Sequence, residues 1–139
     1  MENNMYTPEN YFNLSLVKKL MPEFSWPDKY SLEEDADGVS IIFPNSEIYI
    51  KDGYENDVSF VLLSYKGKDC YIDMYTALKM FVKGYENNPK VFDSLNLQND
   101  NSVYASKQAT ESNIRDILKI LNKHFKNFIS GHVKDLNSL

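Results

Sequence analysis

The chain has 139 residues, of which 42% are hydrophobic, and it carries a formal net charge of −5. A chain of this length and apolar content is expected to form one domain with its own core. The acidic balance argues against a nucleic-acid partner, because phosphates select basic surfaces.

The N-terminal part of the chain predicts one helix followed by a connector. Thr7 matches an N-cap residue, and Pro8 matches the first helical position. Apolar residues follow at loose helical spacing as far as Pro22, which cannot continue a helix because it lacks a backbone N–H. Residues 22–38 are predicted to form the connector.

Four segments then predict strands of an antiparallel meander. Residues 39–43 are apolar and β-branched, and residues 47–51 alternate between apolar and polar. In Val58–Tyr65, apolar residues occur on both faces of the strand, which is typical of a central strand. Residues 70–72 are predicted to form a short fourth strand. Turn residues separate these segments, and strands so close in sequence pair most simply with their neighbours.

A second helix is predicted directly after the strands. Asp73 fits its N-cap, an apolar stripe runs from Met74 to Val82, and Gly84 fits its C-terminus. Residues 85–105 predict an irregular segment with a short strand at residues 102–105.

The last helix has the clearest pattern and extends from about residue 110 to residue 130. Its apolar residues recur at steps of three and four: Ile114, Ile117, Leu118, Leu121, Phe125, Phe128 and Ile129. Gly131 fits the helix end, and residues 1–6 and 132–139 are expected to fray. The prediction is a single α+β domain, residues 1–139, with an N-terminal helix, an antiparallel meander of about four strands, and two or more helices packed on the sheet.

Residues 33–38, EEDADG, share their alternating acids and glycine with the start of a calcium loop. Such a loop also needs a bidentate glutamate six residues after the glycine. That position holds Pro44, and the residues after Gly38 predict a strand rather than a helix. We therefore predict no metal site and interpret Asp37 and Gly38 as a turn.

Negative charge concentrates in residues 28–57, where nine acids and two bases give a net charge of −7. In a meander, the loops 28–38 and 52–57 lie at the same end of the sheet. Like charges crowded at one end of the sheet oppose folding, and the negative field that they create attracts a basic protein surface. This pattern therefore favours docking onto a basic protein. The alternative is a solvated acidic rim that aids solubility. The candidate partner-binding residues are Glu33, Glu34, Asp35, Asp37, Asp52, Tyr54, Glu55 and Asp57.

No catalytic motif accompanies these acids. Cys70 lies in an apolar stretch, which favours a buried hydrophobic role. His124 and His132 are about 12 Å apart along a helix at the standard rise, too far to share a metal. The cations of the last helix, such as Arg115, are interpreted as its solvated side. We therefore predict no enzymatic activity and no cofactor.

These features predict a non-enzymatic protein-binding module. The best fit is a bacterial immunity or inhibitor protein that neutralises a basic toxin or enzyme through an acidic, tyrosine-containing loop face. The alternatives are a dedicated chaperone for a secreted protein, or a small enzyme or ligand-binding protein whose pocket carries no linear motif. One cysteine, a polar N-terminus and the absence of a long apolar run predict a cytoplasmic protein without membrane association.

Overall fold

The structure, a computed structural model, describes residues 11–52, 58–65, 71–81 and 107–131. The elements in these ranges are α1 (Leu14–Leu20), a 3-10 helix (Met21–Glu23), β1 (Ser31–Glu34), β2 (Gly38–Ile42), β3 (Ser46–Asp52), β4 (Val58–Tyr65), β5 (Tyr71–Asp73), α2 (Met74–Phe81), α3 (Lys107–His124) and α4 (Lys126–Ser130). The predicted α+β class is confirmed: a helix precedes an antiparallel sheet, and further helices follow it.

The first helix begins later than the sequence predicts. Asn13 is its N-cap, and the Asn13 side chain accepts a hydrogen bond from the N–H of Leu16 at 3.0 Å. This bond satisfies one of the donors that have no partner within the first turn. The predicted helical conformation of residues 11–13 is therefore wrong, and Thr7 and Pro8 lie outside the described residues. The α-helix ends at Leu20, and the chain tightens into the 3-10 turn that contains Pro22.

The sheet has five strands in the order β1-β2-β3-β4-β5, and each described strand pairs antiparallel with the next. The meander is confirmed, but residues 22–38 are not wholly a connector, because β1 lies within them. Only Leu32 of this four-residue strand packs against the core, and its other residues are exposed. An edge strand of this kind lacks the apolar alternation that identifies strands from sequence.

One face of the sheet packs against the helices and carries the buried side chains of the strands, and we call it the covered face. Its side chains align in rows across β2, β3 and β4, so that Val39 pairs with Ile50 and Ile50 with Val61. Each of these side chains is at most 3% exposed. The same core cluster contains the buried residues of the helices: Val17, Leu20, Met74, Ala77, Leu78, Ile114, Ile117, Leu118, Leu121, Phe125, Phe128 and Ile129. The predicted apolar stripe of the last helix is therefore confirmed as core.

The last helical segment is broken where the sequence predicts continuity. Phe125 has φ −122° and ψ 21°, which separates α3 from α4. The β2–β3 turn holds the end of α4, because Ser46 Oγ donates to the carbonyl of Ile129 at 2.9 Å and Asn45 Nδ2 to that of Ser130 at 3.1 Å. Gly131, at φ 78°, ends α4 in the left-handed conformation that favours glycine.

The second helix follows the prediction in its described part. Asp73 Oδ2 accepts a hydrogen bond from the N–H of Thr76 at 3.2 Å, as expected of an N-cap. Met74 and Leu78 of its apolar stripe are buried. The strand before it includes Tyr71–Asp73, one residue further along the chain than predicted. The predictions made for residues 1–6, for Cys70, for residues 82–106 and for residues 132–139 lie outside the described residues.

Candidate interaction surface

The second face of the sheet, which we call the open face, has no helix packed on it among the described residues. Its rows pair Tyr49 with Ser40 and Leu62, and Lys51 with Phe60. None of these side chains is fully buried. Phe60 is 37% exposed, and Tyr71 of β5 is 65% exposed. Because strand side chains alternate between faces, the open face presents aromatic and aliphatic groups to solvent beside charged ones.

The turn between β1 and β2 is built around the carboxylate of Asp35. Asp35 Oδ1 accepts hydrogen bonds from the N–H of Asp37 at 2.7 Å and the N–H of Gly38 at 2.8 Å. It also accepts one from the Tyr49 hydroxyl at 3.0 Å. The pKa of Asp35 is lowered, first by the bond from Asp37 and then by the Tyr49 hydroxyl and the Gly38 N–H. The structure thus gives this predicted binding residue a structural role as a turn residue.

Glu34 also has a structural role. It lies on the same side of β1 as the inward-facing Leu32, because side chains alternate along a strand. Its Oε2 accepts a hydrogen bond from the N–H of Leu14 at 2.9 Å. A carboxylate at this position complements the positive end of the α1 dipole. Glu34 therefore joins β1 to α1, whereas Glu33, one residue earlier, belongs to the open face.

Tyr49 is central to this region and was not among the predicted site residues. Its ring lies over Gly38, where an added Cβ would come within 3.0 Å of Tyr49 Cζ. Burial raises the pKa of Tyr49 to about 12, with further contributions from its hydrogen bond to Asp35 and from the charges of Asp35, Asp37 and Asp52. The alternation of residues 47–51 predicts the face of Tyr49, but sequence carries no sign that its hydroxyl reaches a turn fourteen residues away.

Asp37 and Asp52 meet beside this tyrosine. The N–H of Asp52 donates to the carbonyl of Asp37 at 2.7 Å, and Gly38 pairs with Lys51 across the sheet. The expectation that residues 38 and 52 lie at the same sheet end is therefore confirmed. Lys51 Nζ is 3.5 Å from Asp37 Oδ1, and the Asp37 side chain is 69% exposed.

Asp52 is held in a less favourable environment than Asp37. It is partly buried, and its Oδ1 has no hydrogen-bond partner in the part of the chain that the structure describes. Burial raises the pKa of Asp52, and the neighbouring charge of Lys51 offsets this only in part. We call the set Glu33, Asp37 and Asp52 the acidic corner. The other predicted residues of this surface, Tyr54, Glu55 and Asp57, lie outside the described residues.

A second charged cluster, on the helices, is balanced internally. Arg115 binds Glu23 through two hydrogen bonds, at 2.7 and 3.0 Å, and binds Glu111 at 3.2 Å. Lys19 Nζ completes the network at 3.0 Å from Glu111. The hydrogen bond from Arg115 lowers the pKa of Glu23, and those from Lys19 and then Arg115 lower the pKa of Glu111. This network joins α1 and the 3-10 helix to α3, so Arg115 is a structural cation.

The described residues line recesses that are open to solvent. One, of about 350 Å³, lies between α1 and α3 beside Leu16, Lys19 and Glu111. Another, of about 220 Å³, lies beside Tyr30 and Ile42 at the start of β1. No group of three or more potential metal ligands occurs in the described ranges. Among the helices there, none combines the length and apolarity that a bilayer span requires.

Comparisons of the chain with protein-family models, with curated proteins and with solved structures found no match. The fold and surface define a small α+β domain whose sheet is covered by helices on one face. Its other face carries exposed aromatic groups, and the acidic corner lies at the end of the sheet where Gly38 pairs with Lys51.

Proposed function

We propose that this chain is a non-enzymatic module that binds a protein with a basic surface at its acidic corner. The observation that carries the proposal is the charge of that corner. It contains three carboxylates, and the ion pair that the described residues show there is the one between Lys51 and Asp37, at 3.5 Å. Exposed aromatic area lies on the open face. Opposite charge steers association, and aromatic side chains supply the buried area of an interface.

Within this class, we propose an immunity or inhibitor protein that neutralises a basic bacterial toxin or enzyme in the cytoplasm. An enzyme that acts on nucleic acid presents a basic cleft to the phosphates of its substrate. An acidic corner with tyrosine beside it complements such a cleft in both charge and contact chemistry. A catalytic role is less well supported, because the recesses that the described residues line are open to solvent rather than enclosed.

The test is capture of the partner from lysate of the native host, with elution by increasing salt. Asp37→Lys should lower the salt concentration at which the partner elutes, because this exposed carboxylate lies in the acidic corner. Glu47→Lys is the matched control. It changes the net charge equally and lies on the open face, but it pairs with Ile42 and Ser64, away from the corner.

Equal effects of the two variants would mean that total charge, not the corner, governs binding. If the partner elutes from Asp37→Lys at a higher salt concentration than from Glu47→Lys, the result contradicts the proposed site. Binding that strengthens with salt would favour the alternative of a chaperone, whose apolar contacts are not screened.

A further inference from the structure

The outer edge of β1 is an unpaired strand edge among the described residues. The N–H of Asp35 donates to the carbonyl of Gly38 at 3.0 Å, so this pair is hydrogen-bonded. In an antiparallel ladder the bonded positions alternate. Ser31 and Glu33 therefore bond to β2, while the N–H and C=O groups of Leu32 and Glu34 point away from the sheet.

The bonding of β2 supports this assignment. The N–H of Phe43 donates to the carbonyl of Ser46 at 2.8 Å, so the odd-numbered residues of β2 bond to β3. The even-numbered ones, Ser40 and Ile42, are left to bond Glu33 and Ser31 of β1. Both ladders of β2 are thereby satisfied, and the unused backbone groups of this hairpin lie on the outer side of β1.

This edge has some of the devices that limit strand addition and lacks others. It is only four residues long and carries two glutamates, but it has no proline, lysine or β-bulge. β1 has the sequence SLEE, and its register with β2 is regular over all four residues. The carboxylate of Glu34 is engaged by the N–H of Leu14. On the open face, the charged side chain of β1 is therefore Glu33.

We propose that β1 accepts an extended, basic segment of the partner protein as a sixth strand of the sheet. This inference rests on the proposed function and specifies how the partner binds. Backbone bonds to Leu32 and Glu34 would supply affinity, as in other cases of strand addition. A lysine or arginine beside Glu33 on the open face would supply selectivity, because opposite charges on neighbouring strands attract and like charges repel.

The recess at the start of β1 gives the incoming strand a second point of recognition. It measures about 220 Å³ and is lined by Tyr30, Ser31, Ile42 and Pro44 among others. Ser31 and Glu33 lie on the same face, two residues apart, so incoming side chains at the same spacing reach both the recess and the carboxylate. The preferred segment therefore has a basic residue and an apolar residue on one face.

The charge of β1 disfavours a second copy of this chain as the occupant. Antiparallel pairing of two β1 strands through Leu32 and Glu34 would place Glu33 opposite Glu33 of the other copy. Like charges directly opposite each other destabilise a strand pair. A basic segment meets no such repulsion.

The experiment uses the ¹⁵N-labelled full chain and a short capped peptide in which a lysine and a valine stand two residues apart, so that both lie on one face of the strand. A chemical-shift titration gives the Kd, and hydrogen exchange is then measured with the peptide at about ten times that Kd. Exchange of the Leu32 and Glu34 amides should slow about tenfold, because only the unbound fraction exchanges. Methylation of alternate backbone nitrogens of the peptide, on its bonding side, should abolish the protection.

The variants test the charge selection. Glu33→Lys should weaken binding of the lysine–valine peptide about tenfold and favour a glutamate–valine peptide, whereas Glu47→Lys should leave both affinities unchanged. Three results would each overturn the inference. They are no binding of the lysine–valine peptide, equal affinity of the unsubstituted chain for the two peptides, and chemical-shift changes confined to Tyr49 and Leu62. Self-association of the chain with the same protection pattern would identify a second copy as the occupant and would also overturn it.

Failure of this inference is distinguishable from failure of the proposed function. A partner that is captured in an Asp37-dependent manner but leaves exchange at Leu32 and Glu34 unchanged would retain the acidic corner as the binding site and reject strand addition. A partner insensitive to Asp37→Lys would reject the proposed function itself.

Discussion

The two faces of the sheet differ in how completely contacts within the chain bury their side chains. On the covered face, every inward side chain of β2, β3 and β4 that belongs to the core is at most 3% exposed. On the open face, Gly38 and Tyr49 make close contacts that the fold requires. Glu33 and Leu62, which lie on the same face, have no comparable contact in the described structure. The covered face is thus explained by folding alone, whereas part of the open face is not.

The charged groups show the same difference. The network of Lys19, Glu111, Arg115 and Glu23 pairs two cations with two anions and needs no other molecule. The acidic corner has more carboxylates than nearby cations, and one of them, Asp52, is held where burial opposes its ionisation. Charge that the fold neither balances nor needs does not stabilise the folded state, and we propose that it serves recognition.

The largest expected effect is the difference in stability lost when a side chain on each face is truncated to alanine. Ile48→Ala, on the covered face, should lower the free energy of unfolding by about 2–5 kcal/mol, because it leaves a cavity in a closed core. Leu62→Ala, on the open face, should cost only about 1 kcal/mol, because its side chain is already partly in water. Urea unfolding of both variants measures the difference. Equal losses would show that the open face is covered in the folded protein, which would remove the basis of the proposed interface.

A smaller but still large effect is expected at Gly38, where the open face is closely packed. An added Cβ would collide with the carbonyl oxygen of Ile50 and press on the Tyr49 ring. Gly38→Ala should therefore cost about 1–3 kcal/mol, as overpacking does elsewhere. Ser40→Ala, two residues along the same strand, should change stability by less than about 0.5 kcal/mol. Thermal unfolding compares them, and a neutral Gly38→Ala would mean that β2 and β3 are not this close.

The third effect separates the two aspartates of one turn. Asp35→Ala removes the acceptor of three hydrogen bonds and should lower the melting temperature by several degrees, whereas Asp37→Ala removes an exposed side chain and should change it little. Because the folded-state pKa of Asp35 is lowered, its contribution is present above the ordinary aspartate pKa of about 3.9 and is lost as the pH falls through the folded value. The gap between the two variants should therefore narrow in acid. A gap that is constant with pH would contradict the role assigned to the Asp35 carboxylate.

The periodic features of this fold were predictable from the sequence, and the contacts between distant residues were not. Apolar, β-branched residues located β2, alternation located β3, and helical spacing identified Ile114 to Ile129 as core. The strand β1 was missed because its pairing with β2, not its own pattern, defines it. The roles of Glu34 and Asp35 were missed for a similar reason. EEDADG identifies a run of acids, but only the tertiary contact with Leu14 and the reach of the Tyr49 hydroxyl show which of them the fold uses.

The smallest effect concerns Asp52 and tests the acidic corner directly. Burial raises its folded-state pKa, so the folded protein holds this proton more tightly than the unfolded chain does. The resulting stability is fully present below the ordinary aspartate pKa of about 3.9 and is lost as the pH rises through the raised value. At neutral pH the ionised side chain therefore opposes folding.

Asp52→Asn should consequently stabilise the protein at neutral pH and leave its stability in acid unchanged. The gain should stay below about 1 kcal/mol, because solvent screens a partly exposed group. Urea unfolding at neutral and acidic pH measures it, and partner elution by salt is measured on the same variant. If Asp52 belongs to the interface, the variant is more stable and yet binds less tightly. Greater stability with unchanged binding would remove Asp52 from the acidic corner and leave Glu33 and Asp37 to account for recognition.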